Sequence, residues 1–387
     1  MNILMISLDK SLLAQQEHSE SISRHKDYGK YVGNLFIICF NLKSPLLSPI
    51  HQINLSKNVA VYPTHSSSRL FYIIDGFKVA NKIFTKNSIQ LITTQDPLLT
   101  GLLGIFLKWR YKIPTLIGIH GSFFDKRWIR EQWINPFLYL LGRYVVKKSD
   151  FIRVVSRQAK SELLEYGIHK NKIFIAPVPV KLETFSKYNN DTVQYLKKCH
   201  AGRKIILQTS TLTKTKNVLM LLNALHKIKE QAFPVHLWLI GSGPEKKNLI
   251  AYTNRLKLNN DVSFLGQLPQ MELVNYYHAA DIFVLASYNE SFGRVLLEAA
   301  MAKKPIIAAQ YRGPLDIFSD RKSALFFNPN STSSLVEQIV HLLENPQIAF
   351  QLGVEAYNDV NRRFSYEKNI HKIMESWNLS VVPQHLI

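Results

Sequence analysis

The sequence has 387 residues, 46% of them hydrophobic, which is chain enough for two domains with an ordinary packed core. Its two cysteines, Cys39 and Cys199, lie far apart and form no Cys-x-x-Cys spacing, which speaks against a disulfide framework or structural zinc and fits a reducing cytosol. The net charge of +20 is uneven, with 24 basic and 11 acidic residues over 1–180 against 24 and 17 over 181–387; such an excess seeks nucleic acid, an anionic membrane face or phosphorylated ligands, or reflects generally basic surfaces.

The apolar start, Met1 to Leu8, lacks a basic n-region and a small-residue cleavage site, so it reads as a first strand and not as a signal peptide. No run of eighteen apolar residues occurs, and no spanning helix is expected. Short apolar runs at 2–8, 35–40, 59–62, 89–93, 115–119, 151–155 and 172–175 alternate with amphipathic stretches such as 98–110, 134–148 and 157–166. That alternation predicts a parallel sheet covered by helices, its strands buried on both faces. Pro177-Val178-Pro179-Val180 breaks the pattern, and the polar stretch from Ser186 to Gly202 marks the domain junction. A second series begins at Ile205. Its helix 217–230 carries Leu221, Leu222, Leu225 and Ile228 on one face, and strands follow at 236–240, 262–265, 282–286 and 305–308. The expected fold class is α/β, two doubly wound Rossmann-like domains facing a cleft, over 1–180 and 200–364, with ligands at the carboxyl ends of the strands.

The richest segment runs from Asp281 to Ala302. A buried strand ends near Ala286, a polar turn holds Glu290, and a helix starting near Gly293 carries Glu298. Free N–H groups at a helix N-terminus favour an anion such as phosphate. Ionised carboxylates beside it accept hydrogen bonds from hydroxyls. A nucleotide sugar has both groups; the alternative is two glutamates that merely charge a helix start.

This segment resembles the E-x7-E motif of the retaining GT-B glycosyltransferases of family four (glycosyl transferases group 1). Ser287, Phe292-Gly293 and the run Ala299, Met301, Ala302, Pro305-Ile306-Ile307 resemble the neighbouring family pattern. The resemblance implies that Glu290 contacts hydroxyls of the donor sugar. It implies that the backbone at Ser291, Phe292 and Gly293 approaches the sugar or its phosphate, and that Glu298 binds the ribose. Gly241-Ser242-Gly243-Pro244, after the strand 236–240, resembles the family's G-x-G-P element near the base. The loop Ser210 to Asn217 resembles its G-R-L-x-x-x-K-G loop, in which an Arg and a Lys neutralise the leaving diphosphate. Lys216 matches the Lys; Thr211 stands in place of the Arg and Asn217 in place of the Gly. Lys303 replaces another family glycine, and the loop Asp9 to Leu13 lacks the paired glycines of many members. The tail 365–380 resembles the closing helix that crosses back towards the first domain.

His120 follows the strand 115–119 directly. A lone His is often structural, but the resemblance implies contact with the donor sugar near its reacting carbon. Residues 101–148 interleave apolar and basic side chains, among them Trp109, Arg110, Arg127, Trp128, Arg130 and Trp133. They read either as core with a solvated basic face or as a peripheral dock on an anionic membrane, the acceptor side of the protein.

The resulting expectation is a metal-independent, retaining hexosyltransferase with Glu290, His120 and Lys216 as its catalytic group. Its partners would be a nucleotide diphosphate sugar donor, a glycan or lipid-linked acceptor and an anionic membrane surface. It would serve bacterial surface polysaccharide or lipopolysaccharide assembly from the cytoplasm, on the inner face of the plasma membrane. No resident cofactor is expected. The sequence has no Asp-x-Asp pair, so the diphosphate charge falls to Lys216 and the turn before Gly293. Competing readings are a non-catalytic nucleotide-sugar binder, a sugar-nucleotide epimerase, and a basic nucleic-acid-binding protein. For the last there is no zinc-finger, RNA-binding or basic-zipper signature, so nucleic acid is not expected as a partner.

Overall fold

Near-continuous apolar runs of four to six residues form the strands, and longer amphipathic stretches between them form the helices. The structure, a computed structural model, describes residues 1–13, 19–43, 51–121, 126–288 and 290–381, without the side chains of Lys126, Arg127 and Glu131. The chain divides into two units, Met1–Pro179 with Glu367–Ile387, and Val180–Tyr366.

Unit 1 holds strands β1 (Asn2–Ser7), β2 (Asn34–Cys39), β3 (Ile53–Ser56), β4 (Val59–Pro63), β5 (Leu91–Thr94), β6 (Thr115–Ile119), β7 (Phe151–Val154) and β8 (Ile173–Ile175). They form one sheet in the order β3-β4-β2-β1-β5-β6-β7-β8. Every neighbouring pair is parallel except β3 with β4. The β3 edge was not expected: Ile53-Asn54-Leu55-Ser56 alternates apolar with polar and is only partly buried, so it offers no apolar run to detect. The helices Tyr72–Phe84 and Leu99–Tyr111 close one core, around Phe40, Tyr72, Leu103 and Leu107. The helix Tyr366–Leu379 contributes Trp377 to unit 1, edge-on to Tyr28 at 5.4 Å between ring centres.

Unit 2 holds β9 (Lys204–Thr209), β10 (Val235–Ile240), β11 (Val262–Gly266), β12 (Ile282–Leu285), β13 (Ile306–Ala309) and β14 (Leu325–Phe327). They pair in parallel in the order β11-β10-β9-β12-β13-β14. The helix Val218–Glu230 buries Leu221, Leu222, Leu225 and Ile228, the stripe its periodicity predicts. The polar stretch 186–202 is not a linker. It lies within unit 2 and carries the helix Asn190–Lys198, capped by the Asn189 side chain, which accepts from the Thr192 N–H at 2.9 Å.

In each sheet the winding reverses at one strand pair, β1/β5 in unit 1 and β9/β12 in unit 2. Loops leaving such a pair diverge and open a crevice at the strands' carboxyl ends.

Lys303, in the position of a family glycine, has φ +53°, so the left-handed backbone persists without the glycine. Its ammonium sits 5.0 Å from the centre of the Tyr357 ring. The helix Pro346–Arg363 closes on this turn through Gly353, where a Cβ would stand 2.3 Å from the Lys303 carbonyl oxygen. Gly353→Ala is therefore expected to destabilise the protein by about 1–3 kcal/mol, read as a lowered denaturation midpoint. An unchanged midpoint would mean that the Lys303 turn yields freely.

Candidate functional site

In unit 2, one loop leaves β9 and the other leaves β12, so the reversal brings them side by side. The Tyr288 N–H donates to the Thr215 carbonyl at 3.2 Å and ties them together. Across this junction Lys216 Nζ meets Glu290 Oε2 at 2.6 Å, with side chains 22% and 16% exposed. The Lys214–Lys216 turn ends at Asn217, which has φ +52°. Asparagine tolerates this left-handed geometry better than most residues, so the change from glycine leaves the turn intact. The Glu290 carbonyl accepts from the Gly313 N–H at 3.0 Å, which pins the loop to the start of the helix Arg312–Ile317. That contact had no signal in the sequence.

Gly293, at φ +89°, is the N-cap of the helix Arg294–Met301 and has no side chain to close it. Phe292 is buried and packs edge-on to Phe364 at 5.5 Å. Ser291 is half-buried beside it. Glu298 is 8% exposed, and its Oε2 accepts from the Tyr277 hydroxyl at 2.9 Å. The Thr209 hydroxyl lies 2.6 Å from the same Tyr277 oxygen. Burial, and then the Glu298 charge, push the Tyr277 phenol well above its usual range. The phenol therefore stays protonated and donates to Glu298. Sequence reasoning passed over Tyr277, since a tyrosine in a helix reads as core.

Gly241, Ser242 and Gly243 lie against the β9 loop. A Cβ at Gly241, whose φ is +133°, would stand 1.9 Å from the Ser210 oxygen, and the Ser242 carbonyl accepts from the Leu212 N–H at 3.0 Å. These glycines serve backbone-to-backbone approach. Thr211 is exposed on the same loop.

In unit 1 a cavity of about 310 Å³ opens at the carboxyl ends of β1, β5, β6 and β7. His120 lines it, with Nε2 2.8 Å from Arg153 Nη2. A guanidinium only donates, so Nε2 accepts and the ring proton sits on Nδ1. Burial, then Arg153 and Arg24, hold the imidazole well below its ordinary value; His120 is neutral. Arg153 shows in the sequence only as a charge inside a buried strand, a signal the apolar-run reading of 151–155 passed over.

Of the predicted acceptor-side residues, Trp109, Arg110, Arg130 and Trp133 are exposed, Trp133 at 84%. Trp128 is half-buried and packs on the core around Ile119 and Val146. The Arg127 side chain lies outside the described residues. Among the described residues no cluster of His, Cys, Asp or Glu could hold a metal ion, and no helix is long and apolar enough to cross a membrane.

Residues 35–184 match the family model described as Glycosyltransferase Family 4, and residues 197–359 the one described as Glycosyl transferases group 1. The alpha-monoglucosyldiacylglycerol synthase of Acholeplasma laidlawii is 26% identical over 300 residues, 74% of either chain. Anabaena HepE, solved with UDP and glucose, is 17% identical with a TM-score of 0.78, over 98% of this chain and 99% of that one. The lipopolysaccharide outer core galactosyltransferase WaaB is 15% identical with a TM-score of 0.71, over 98% and 99%.

His25, on the wall of the unit 1 cavity, is buried, and its Nδ1 lies 2.7 Å from the Ser21 carbonyl. Burial, then Arg24, lower it to about 4, against about 6.5 in an unfolded chain. The unfolded state therefore binds the proton first as pH falls. This contribution is complete above about pH 6.5 and is lost between there and about pH 4, on the order of 3 kcal/mol. The expected result is that His25→Gln flattens the pH dependence of the melting temperature over that window. Parallel profiles for the variant and the parent would assign the acid sensitivity elsewhere.

Proposed function

The chain belongs to the GT-B glycosyltransferases of the family four and group 1 kind, and from that membership we propose that it moves a hexosyl-type sugar from a nucleotide diphosphate sugar to a glycan or lipid-linked acceptor, with retention of anomeric configuration. The observation that carries this reading is the Lys216–Glu290 pair at the crevice of unit 2. A sugar diphosphate needs a cation for the phosphate and an acceptor-only oxygen pair for the sugar hydroxyls, and these two side chains supply both within one contact. In the reaction the bond from the anomeric carbon to the phosphate oxygen breaks, and its electron pair leaves with the diphosphate. The acceptor oxygen forms the new bond, and its proton passes to a donor phosphate oxygen. Lys216 and the N-terminus of the helix Arg294–Met301 meet the developing charge without a metal ion. Glu298, fixed by Tyr277, holds the ribose hydroxyls. His120 is a neutral hydrogen-bonding group in this scheme and not a general acid.

A relative named for a glucosyl lipid and a structural neighbour named for the lipopolysaccharide outer core support an acceptor in surface-glycan or membrane-lipid assembly. So does the surface of unit 1, where Trp133, Phe137 and Leu140 are 84%, 67% and 60% exposed. Trp109 and Tyr144 lie nearby, edge-on at 6.4 Å. Lys147 and Lys148 end the helix Asn135–Lys148. Exposed aromatics beside cations suit the interface of an anionic leaflet.

Two measurements test these points. In a screen of UDP- and GDP-sugars with a bacterial lipid extract, Glu290→Gln is expected to lower nucleotide diphosphate release about a hundredfold, the scale of loss when a group that positions the reacting sugar is removed, while nucleotide affinity changes far less. An unchanged rate would remove Glu290 from the mechanism. In vesicle co-sedimentation at moderate salt, the protein is expected to prefer anionic over neutral lipid and to lose most of that binding in the Trp133→Ser/Phe137→Ser variant. Equal binding to both vesicle types would end the membrane reading.

A further inference from the structure

The cavity of unit 1 holds two guanidiniums and two carboxylates that do not pair with each other. Arg24, Arg153, Asp9 and Asp96 all line it. Both carboxylates are taken up by nearby N–H and hydroxyl groups, and the Ser21 hydroxyl stands between Asp9 and Arg24. Asp9 accepts from the Ser11 N–H at 3.0 Å, from the Ser11 hydroxyl at 2.6 Å and from the Ser21 hydroxyl. Asp96 accepts from the Leu98 N–H at 2.7 Å and from the Thr100 hydroxyl at 2.7 Å. Among the described residues, no carboxylate comes within ion-pair distance of either guanidinium. What the guanidiniums do meet is neutral: Arg153 donates to His120 at 2.8 Å, and Arg24 lies 3.4 Å from the Ser21 hydroxyl. Both arginines line the one cavity, where burial, opposed by Tyr28 and reinforced by the Arg24 charge, lowers Arg153 below the ordinary guanidinium value.

Two like charges on one partly buried wall repel each other, and burial raises the cost because water screens them less. An arrangement of this kind becomes favourable when an anion sits between the charges. Planar guanidiniums match the paired oxygens of a phosphate or carboxylate and bind them with two parallel hydrogen bonds. Tyr28 and Trp377 line the same cavity and provide an apolar wall. Neutral His120 and His25 add hydrogen-bonding capacity without further charge.

We propose that Arg24 and Arg153 form an oxyanion site in unit 1, and that the acceptor is an anionic sugar derivative whose phosphate or carboxylate this site holds next to His120. The word acceptor rests on the transferase reading; the anion site does not. Arg153 is a binding residue here, and its bond to His120 also fixes the imidazole in the Nδ1–H form.

The test is calorimetric titration of the full chain with glucose 6-phosphate, glucuronate and glucose, and separately with UDP and GDP. The expected result is binding of one or both anionic sugars with no detectable binding of glucose. Loss of one charge-assisted pair is expected to weaken that binding at least about tenfold in Arg153→Gln and in Arg24→Gln. Lys216→Ala, in unit 2, should leave it within about twofold. Preference for glucose 6-phosphate identifies a phosphorylated acceptor, and preference for glucuronate an acidic sugar. Glucose binding as well as the anions, or anion affinity that follows Lys216 and ignores both arginines, would overturn the proposal. Should Arg153→Gln fail to fold, judged by lost nucleotide binding and melting, Arg24→Gln and Arg153→Lys carry the same comparison. Nucleotide binding without anion binding removes this site and leaves the transferase reading. Arginine-dependent anion binding without nucleotide binding does the reverse.

Discussion

Each sheet winds outward in both directions from one central pair of parallel strands, β1/β5 and β9/β12, and the chemistry of both units follows from that reversal. Crossovers of a single hand send the two loops leaving such a pair to opposite faces of the sheet. A crevice is left at the strand ends, lined by whatever those loops carry. In unit 2 they carry Lys216 and Glu290, far apart in sequence and 2.6 Å apart in space. In unit 1 they carry Asp9 and Asp96, while the neighbouring strands β6 and β7 deliver His120 and Arg153. No local sequence pattern could bring these groups together; only the strand order does.

The two glutamates of unit 2 are held in physically different ways. Glu298 is buried, bonded to Tyr277, and through it connected to Thr209 at the end of β9. A buried charge bonded in this manner is costly to disturb, because a broken contact leaves it unsatisfied. Glu290 is more exposed and pairs with Lys216 at 2.6 Å. For a pair so placed, Coulomb attraction and desolvation nearly offset, so it contributes little to stability. One carboxylate is thus fixed to the sheet and suits a constant part of a ligand. The other is paired with a side chain from a different loop, which suits a group whose contacts change during a reaction.

Much of the fold was legible because its signals are local. Nearly every apolar run became a strand within a residue or two, and the stripe on the helix Val218–Glu230 is buried as its spacing predicts. The misses have physical causes. Ile53–Ser56 is a half-exposed edge strand without an apolar run. The stretch 186–202 is polar because the helix Asn190–Lys198 buries only Val193, so a surface helix looked like a linker. At the candidate site, Glu290, Glu298 and Lys216 could be found because their spacing within each loop is local. Tyr277 could not, because what distinguishes it from any core tyrosine is a hydroxyl placed by tertiary packing. The paired glycines at 241 and 243 were legible as a turn; that they also admit the backbone of the β9 loop was not.

The departures from the family pattern separate into two kinds on the same grounds. Asn217 and Lys303 replace glycines, yet both keep a left-handed backbone. What those positions require is a conformation, and a side chain can adopt it at a cost of about 1–2 kcal/mol, offset at Lys303 by the Tyr357 ring. Thr211 replaces a cation, and no backbone geometry restores a missing charge. The loss has to be met by another cation at the same loop or by a ligand less demanding of charge there. Lys214 is exposed one turn along the same loop. A chain can therefore drift from its family's glycines while its site keeps its shape, whereas each lost cation changes what the site can bind.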